Sequence, residues 1–254
     1  MLTVLSPAKS LDVTPVDLTP TAPRFPEDTA RLVTRARRLT LKDLRGLMSI
    51  SDDLARLGRD RWRAWDAAAE KPAIRAFDGD TYAGLDAATL SEDALRHAQG
   101  RLRILSGLYG LLRPLDAIKP HRLEMGTRLG TRRGRDLYAF WGDRIAAQLN
   151  ADAAEAGTDL LLNCASREYF RAAERPALQL RVITPTFLED RPGGPKVVSF
   201  AAKRARGAMA RFVLEHRIED PTDLRAFDAG GYAWQDSPVD APVFLRAEAA
   251  TKAA

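Results

Sequence analysis

Apolar positions along this chain fall into two rhythms. Short unbroken runs are too brief for surface helices and predict buried strands: "LTVL" at residues 2–5, "DLLLNCAS" at 159–166 and "VVSF" at 197–200. "RLRILSGLYGLLRPLDAIKP", residues 101–120, begins as a strand. It then meets Gly107, Gly110, Pro114 and Pro120, which set a stiff, non-helical path. "ALQLRVITPTFLED", 177–190, predicts further strand before the turn "RPGGPK". "APVFLRAE", 241–248, predicts a last edge strand.

The second rhythm is helical. It runs from about Glu27 to Trp65, with a break near residues 49–51, after a proline-rich loop at 11–26. "LDAATLSEDALRHAQG" predicts a helix capped by Ser91 and ended by Gly100. "DLYAFWGDRIAAQLN" sets Leu137, Phe140, Trp141, Ile145 and Leu149 near one helical face. A further helix runs from about Ala201 to Arg217. Strands and helices alternate without a repeat. The pattern predicts an α/β fold with a central mixed sheet flanked by helices, in a single domain over residues 1–254, with a small helical insertion at 27–70.

Composition changes this picture little. A chain of 254 residues with 45% hydrophobic and 29% charged positions is an ordinary globular protein. No apolar run reaches the ~18 residues that span a bilayer. "MLTVLSPAKSLD" lacks the basic and long apolar regions of a signal peptide and reads as a folded strand. The single cysteine, Cys164, excludes an internal disulfide framework and sits in an apolar run, so it is a core residue. These features point to the cytoplasm, with no membrane partner.

Charge changes it more. The net charge is +5, but it is unevenly spread. Residues 31–63 carry ten Lys/Arg against four Asp/Glu, residues 101–135 nine against two, and residues 200–217 five against one. Three such segments predict one basic furrow if they meet in space, and three solvated faces if they do not. The last segment belongs to "KVVSFAAKRARGAMARF". With Lys203 at zero on a helical wheel, Arg206, Arg211 and Arg204 fall at about −60°, 80° and 100°. Ala201, Ala205, Ala208, Met209 and Phe212 share the opposite arc. No acidic i±4 neighbour relieves these cations before Glu215, and the helix start suits an anion.

Polar residues gather at predicted strand ends, where open α/β sheets bind ligands. "NCASREYF" puts Asn163, Ser166, Glu168 and Tyr169 there, and "SPAKS" adds Lys9. The latter lacks the glycines of a phosphate-cradling loop, and no cofactor motif is present. "FDGDTY" places Asp78 and Asp80 around a glycine, as a turn or as a metal or base site. Tyr109, Arg113, Arg122 and Glu124 combine aromatic and guanidinium groups, which suit a base or phosphate, or equally a buried ion-pair network. His97, His121 and His216 have no metal-ligand spacing, and no carboxylate cage is evident, so no metal site is expected.

Seven stretches in order resemble the YaaA family, bacterial proteins associated with resistance to peroxide stress. They are "LSPAKSLD", "FDGDTYAGLDA", "LSGLYGLLRPLDAIKPHRLEMG", "DLYAFWGD", "NCASREYF", "KVVSFAAKRARGAMARF" and "FDAGGYAW". The resemblance implies a cytoplasmic DNA-binding protein with a basic cleft and a helix-hairpin-helix element, limiting damage from iron and peroxide. The element would fall at about residues 40–65. "LMSISDDLARL" supplies the hairpin Ser49-Ile50-Ser51 and "LTLKDL" the first helix, capped by Thr40 with Asp43. Lys42, Arg45, Arg56, Arg59, Arg61 and Arg63 surround it. Serines stand where the general motif has glycines, and Asp52 and Asp53 open the second helix, where they would repel a phosphate.

Three functions follow as expectations. The first is duplex DNA binding, to bent or damaged DNA among others, through residues 42–61 with Arg113 and Arg122, and through Lys203, Arg204, Arg206 and Arg211. The second is an enzyme acting on a nucleobase, nucleoside or damaged DNA. Its candidates are Lys9, Asp78, Tyr109, Glu124, Asn163, Ser166, Glu168 and Lys203. The third is iron sequestration.

Overall fold

The computed structural model describes residues 1–247. Glu248, the last residue of the expected C-terminal strand, and the rest of the expected domain to Ala254 lie outside them. Five strands form the central sheet: β1 (Leu2–Leu5), β2 (Leu102–Ser106), β3 (Gly110–Leu112), β4 (Leu160–Asn163) and β5 (Arg181–Ile183), in the order β3-β2-β1-β4-β5. β2, β1, β4 and β5 are parallel, and β3 folds back antiparallel on the edge. All four residues of β1 are buried, as a parallel strand covered on both faces requires. The fold is therefore α/β, with a central mixed sheet of five strands.

A second sheet holds β6 (Thr186–Glu189), β7 (Tyr232–Trp234) and β8 (Val243–Arg246), in the order β6-β8-β7. The expected edge strand thus lies in the middle of its sheet. There Tyr232 donates to Glu189 Oε1 at 2.6 Å, and Arg246 Nη2 donates to Glu189 Oε2 at 2.7 Å. Thr184 and Pro185 break the expected long strand and carry the chain from one sheet to the other. "VVSF" is not a strand. Only Lys196 bridges Glu189, Val197 is exposed, and the last long helix begins at Ser199. The run gives way to that helix although the edge strand β6 lies beside it at Glu189.

Among the described residues seven α-helices of six residues or more surround the sheets: α1 (Pro26–Ala36), α2 (Leu41–Met48), α3 (Asp52–Arg63), α4 (Asp80–Leu85), α5 (Glu92–Arg101), α6 (Arg144–Glu155) and α7 (Ser199–Glu215). Their ends follow local chemistry. Thr40 and Asp43 close a capping box on α2, and the Ser91 hydroxyl accepts from Ala94 N–H at 3.1 Å on α5. Gly142, at φ 52°, splits the predicted "DLYAFWGDRIAAQLN" helix into a short turn, Leu137–Trp141, and α6.

α7 packs its alanine face inward, with Ala201, Ala202, Ala205, Met209 and Ala210 buried. It crosses α4 so closely that backbone meets backbone. The helical insertion is fastened by Trp62, which is fully buried, stacks on Trp65 at 5.5 Å and lies 6.5 Å from the His121 ring. Tyr109 and Phe77 complete this aromatic cluster.

Burial pushes the His121 imidazole down to about 4, because the charged ring would lose its water inside the cluster. Unfolded, the ring takes up its proton near 6.5. Between those values the unfolded chain binds the extra proton, so acid favours unfolding. Stability is expected to be full above pH 6.5 and to fall by roughly 3 kcal/mol towards pH 4. His97, also lowered by burial, adds a loss of the same sign. Urea midpoints measured from pH 7.5 to 4 check this; a flat profile over that window would show that His121 is not sealed among the aromatics.

Candidate functional site

The strand order reverses at β1. The chain passes from β1 to β2 on one side and later returns to β4 on the other, so the paired carboxyl ends of β1 and β4 mark a switch point. Ser6 and Ser166 meet there. The Ser6 hydroxyl accepts from Ser166 N–H at 2.8 Å and donates to Ser166 Oγ at 3.2 Å. The Tyr82 hydroxyl, from α4, donates to Ser6 O at 3.1 Å.

Beside them, Arg122 Nε donates to Glu124 Oε1 at 3.0 Å, and its Nη2 pairs with the same oxygen at 2.9 Å. Lys9 Nζ lies 3.7 Å from the same oxygen. Gly126 N–H donates to Glu168 Oε1 at 2.9 Å, and a Cβ at Gly126 would come within 3.0 Å of that oxygen. Burial, then Glu168 and Glu124, hold the Tyr169 hydroxyl far above the usual phenol range, so it stays protonated.

Lys9, Glu124, Ser166 and Glu168 are thus brought together. Asp78 pairs with Ser10 in a two-residue ladder next to Lys9, and Gly79 and Asp80 turn from it into α4. Other candidates serve the frame. The Tyr109 hydroxyl accepts from Lys119 N–H at 3.0 Å inside the aromatic cluster. Asn163 closes a turn by accepting from Ala165 N–H at 3.0 Å and donates to Thr184 Oγ1 at 3.3 Å. Cys164 is buried, and burial pushes its thiol up to about 12, so it carries no nucleophile at neutral pH. Ser6, Tyr82 and His121 enter the site without being candidates for it in the sequence. All three lie inside quoted stretches, "SPAKS", "FDGDTY" and "LSGLYGLLRPLDAIKPHRLEMG".

The basic segments meet in part. α1 and the loop 130–135 enclose a groove of about 650 Å³ lined by Arg31, Arg35, Arg38, Arg132, Arg133 and Phe140. Arg133 and Arg31 are anchored on Asp28, at 2.6 and 3.3 Å. Among the described residues Arg35, Arg38 and Arg132 have no acidic partner within 4 Å. The third segment lies elsewhere. Arg204 and Arg211 of α7 line a different groove, of about 530 Å³, with α4 and β7. The expected single furrow is therefore two grooves, because α7 is held against α4 and not against α1.

The individual cations divide the same way. Lys42 and Arg56 are exposed, Arg61 is half-buried, and none of the three has an ion pair among the described residues. Arg45 pairs with Asp52 at 2.8 Å and Arg59 with Asp60 at 3.5 Å. Lys203, Arg204 and Arg206 are also unpaired. Arg211 is committed to the fold: it donates to Asp86 O and Thr89 Oγ1 and pairs with Glu215 at 2.8 Å. Arg113 is committed likewise, to Asp116 and Ala22 O.

Ser49 ends α2 in the left-handed conformation, at φ 50° and ψ 51°, as a glycine would. Ile50 follows, and Ser51 caps α3 by accepting from Leu54 N–H. No described His, Cys, Asp or Glu side chains gather in threes that could hold a metal ion, and no described helix is long and apolar enough to cross a membrane.

Comparison with known proteins bears on the whole of this architecture. A UPF0246 protein of Cereibacter sphaeroides is 62% identical over 256 residues, spanning 97% of this chain and all of its own length. UPF0246 proteins of Ruegeria pomeroyi and a Jannaschia species are 57% and 56% identical, over 97% and 100% of this chain and 98% and 100% of their own. The family model described as peroxide stress protein YaaA matches residues 1–237, and the chain belongs to that family.

Proposed function

We propose that this peroxide stress protein binds duplex DNA, with the arginine groove and the adjoining helical hairpin as its contact surface. One observation carries the reading. Arg35, Arg38 and Arg132, from two segments nearly a hundred residues apart, converge without acidic partners on one groove. Unpaired guanidinium groups held this close repel one another, and a polyanion relieves that.

The hairpin supports it. α1 leads into α2 within four residues, so groove and hairpin follow one another along the chain. The first turn of α3 has backbone N–H groups without intrahelical partners, which suit a phosphate oxygen. Of the two acids that oppose an anion there, Asp52 is engaged by Arg45, and Asp53 has no ion pair among the described residues. A protein of this family bound along duplex DNA would sit where peroxide and iron do their damage.

The test is binding to a labelled duplex at several salt concentrations. Each neutralised phosphate contributes a log–log slope of about −0.9. The triple variant Arg35→Ala, Arg38→Ala, Arg132→Ala is expected to flatten the slope by about 3 and to weaken binding at least tenfold at low salt. An unchanged slope would remove the groove from the contact surface. Loss only in Lys203→Ala, Arg204→Ala, Arg206→Ala would transfer it to α7.

A further inference from the structure

We infer that the carboxyl ends of β1 and β2 form a separate binding site for a small, neutral, planar molecule with an amide or amidine edge, an N–H donor beside an acceptor. The inference does not rest on DNA binding.

The site is a cavity of about 20 Å³, lined in part by Lys9, Phe77, Ser106, His121, Glu124 and Tyr169. That volume admits one small polar group, the size of a water or an amino group. It opens past Lys9, whose side chain is 69% exposed. Glu124 sets the chemistry. Its Oε1 takes Arg122 and Lys9, whereas its Oε2 is shielded from solvent and accepts no hydrogen bond. A carboxylate oxygen left dry and unpartnered is unfavourable, and a donor that enters the cavity relieves it once the Glu124 carboxylate turns Oε2 towards it.

The charges around the cavity select against ions. Lys9 and Arg122 oppose an ammonium group, and Glu124 and Glu168 oppose a carboxylate. A neutral donor remains, with an acceptor beside it for the Lys9 ammonium. Phe77, His121 and Tyr169 are nearly buried and supply apolar ring surface, as small-molecule sites require. His121 stays uncharged there. The donor group occupies the cavity and the ring lies in the mouth, with Lys9 moved aside to cover it. Amino-bearing heterocycles such as cytosine and adenine have this edge, either free or carried in a single strand.

The test is titration of the full chain with cytosine and with adenine, followed by calorimetry and by the Tyr169 and His121 ring resonances. Benzylamine and benzoate serve as charged planar controls. At least one base is expected to bind and to shift both rings, and the controls to leave them unmoved. Glu124→Gln is expected to weaken binding tenfold or more. Arg122 holds the remaining amide oxygen, so the amide nitrogen faces the ligand's own donor. Lys9→Met, at an exposed position, is expected to weaken it as well and serves if Glu124→Gln fails to fold. A cytosine-rich single strand tests the second source. Binding of the strand that Glu124→Gln and Lys9→Met weaken supports the site. Absence of any base binding, binding that survives both variants, or stronger binding of either control would overturn it. Arg35→Ala, Arg38→Ala, Arg132→Ala is expected to bind the free bases as the wild type does, so failure of the groove and failure of this site are read separately.

Discussion

Asp152→Ala is expected to destabilise the protein by about 3–5 kcal/mol, the loss typical of removing one partner from a buried ion pair. Asp152 sits on the inner face of α6 and is about 1% exposed. One oxygen receives Arg103 Nε, from the middle of β2. The other receives Gln148 Nε2 at 2.8 Å and Arg24 Nη2 at 2.9 Å. Arg103 is about 2% exposed, and its Nη1 bonds the carbonyls of Gln99 and Leu102. Without Asp152 its charge stays in the interior with only carbonyl dipoles for company. For a chain of this size the melting temperature is expected to fall by about 6 °C or more. The double change Arg103→Met, Asp152→Leu tests the cause, because removing both charges together should restore much of the loss. If Asp152→Ala melts within a degree or two of the wild type, the pair is not dry.

Arg103 also shows why the basic segments were only partly legible. It counts toward the charge of residues 101–135, yet its partner lies 49 positions along the chain. Arg113, Arg211 and Arg45 are taken up nearer home, by Asp116, Asp86 with Glu215, and Asp52. A count of charges along a sequence cannot see a distant pairing such as that of Arg103. What survives the subtraction includes Lys42, Arg56 and Arg61 on the hairpin, Arg35, Arg38 and Arg132 in one groove, and Lys203, Arg204 and Arg206 on one helix; the hairpin and α7 cations are legible as candidates in the sequence, the groove arginines only as part of their segments.

The sheet was more legible, because parallel strands buried on both faces are written as unbroken apolar runs, and β1 and β4 are legible as such runs, with β2 as the start of "RLRILS". Polar residues after such runs had to fall at the ligand-binding end, which is how Lys9, Ser166 and Glu168 were found. His121 and Tyr82 could not be found that way. They arrive from a loop and a short helix whose position depends on tertiary packing. "VVSF" misled for a related reason: two valines favour a strand locally, but the run is taken up by the helix that begins at Ser199 and packs its alanine face on the core.

Gly207→Ala is expected to cost more than about 3 kcal/mol, against the stabilisation that alanine brings to an ordinary helix interior. A Cβ at Gly207 would lie 1.8 Å from Thr81 O and 2.7 Å from Leu85 N, and one at Gly84 would lie 1.9 Å from Arg204 O. These are backbone atoms of the facing helix, so no rotamer change relieves the clash; α4 and α7 must separate. Separation opens the alanine face of α7 and pulls Tyr82 from Ser6 O, which ties the stability of this crossing to the shape of the strand-end site. Gly46, in α2, has nothing within 4 Å of the same construction, so Gly46→Ala should leave stability unchanged or raise it by up to about 1 kcal/mol. Thermal unfolding of the two variants side by side decides the matter. Gly207→Ala should melt at least about 6 °C below the wild type. Equal melting of the two variants would mean that α4 and α7 do not touch backbone to backbone. If the lowered melting is accompanied by weaker binding of a neutral base but an unchanged salt slope on duplex DNA, the crossing supports the strand-end cavity and not the arginine groove, which stands on α1 and the loop 130–135.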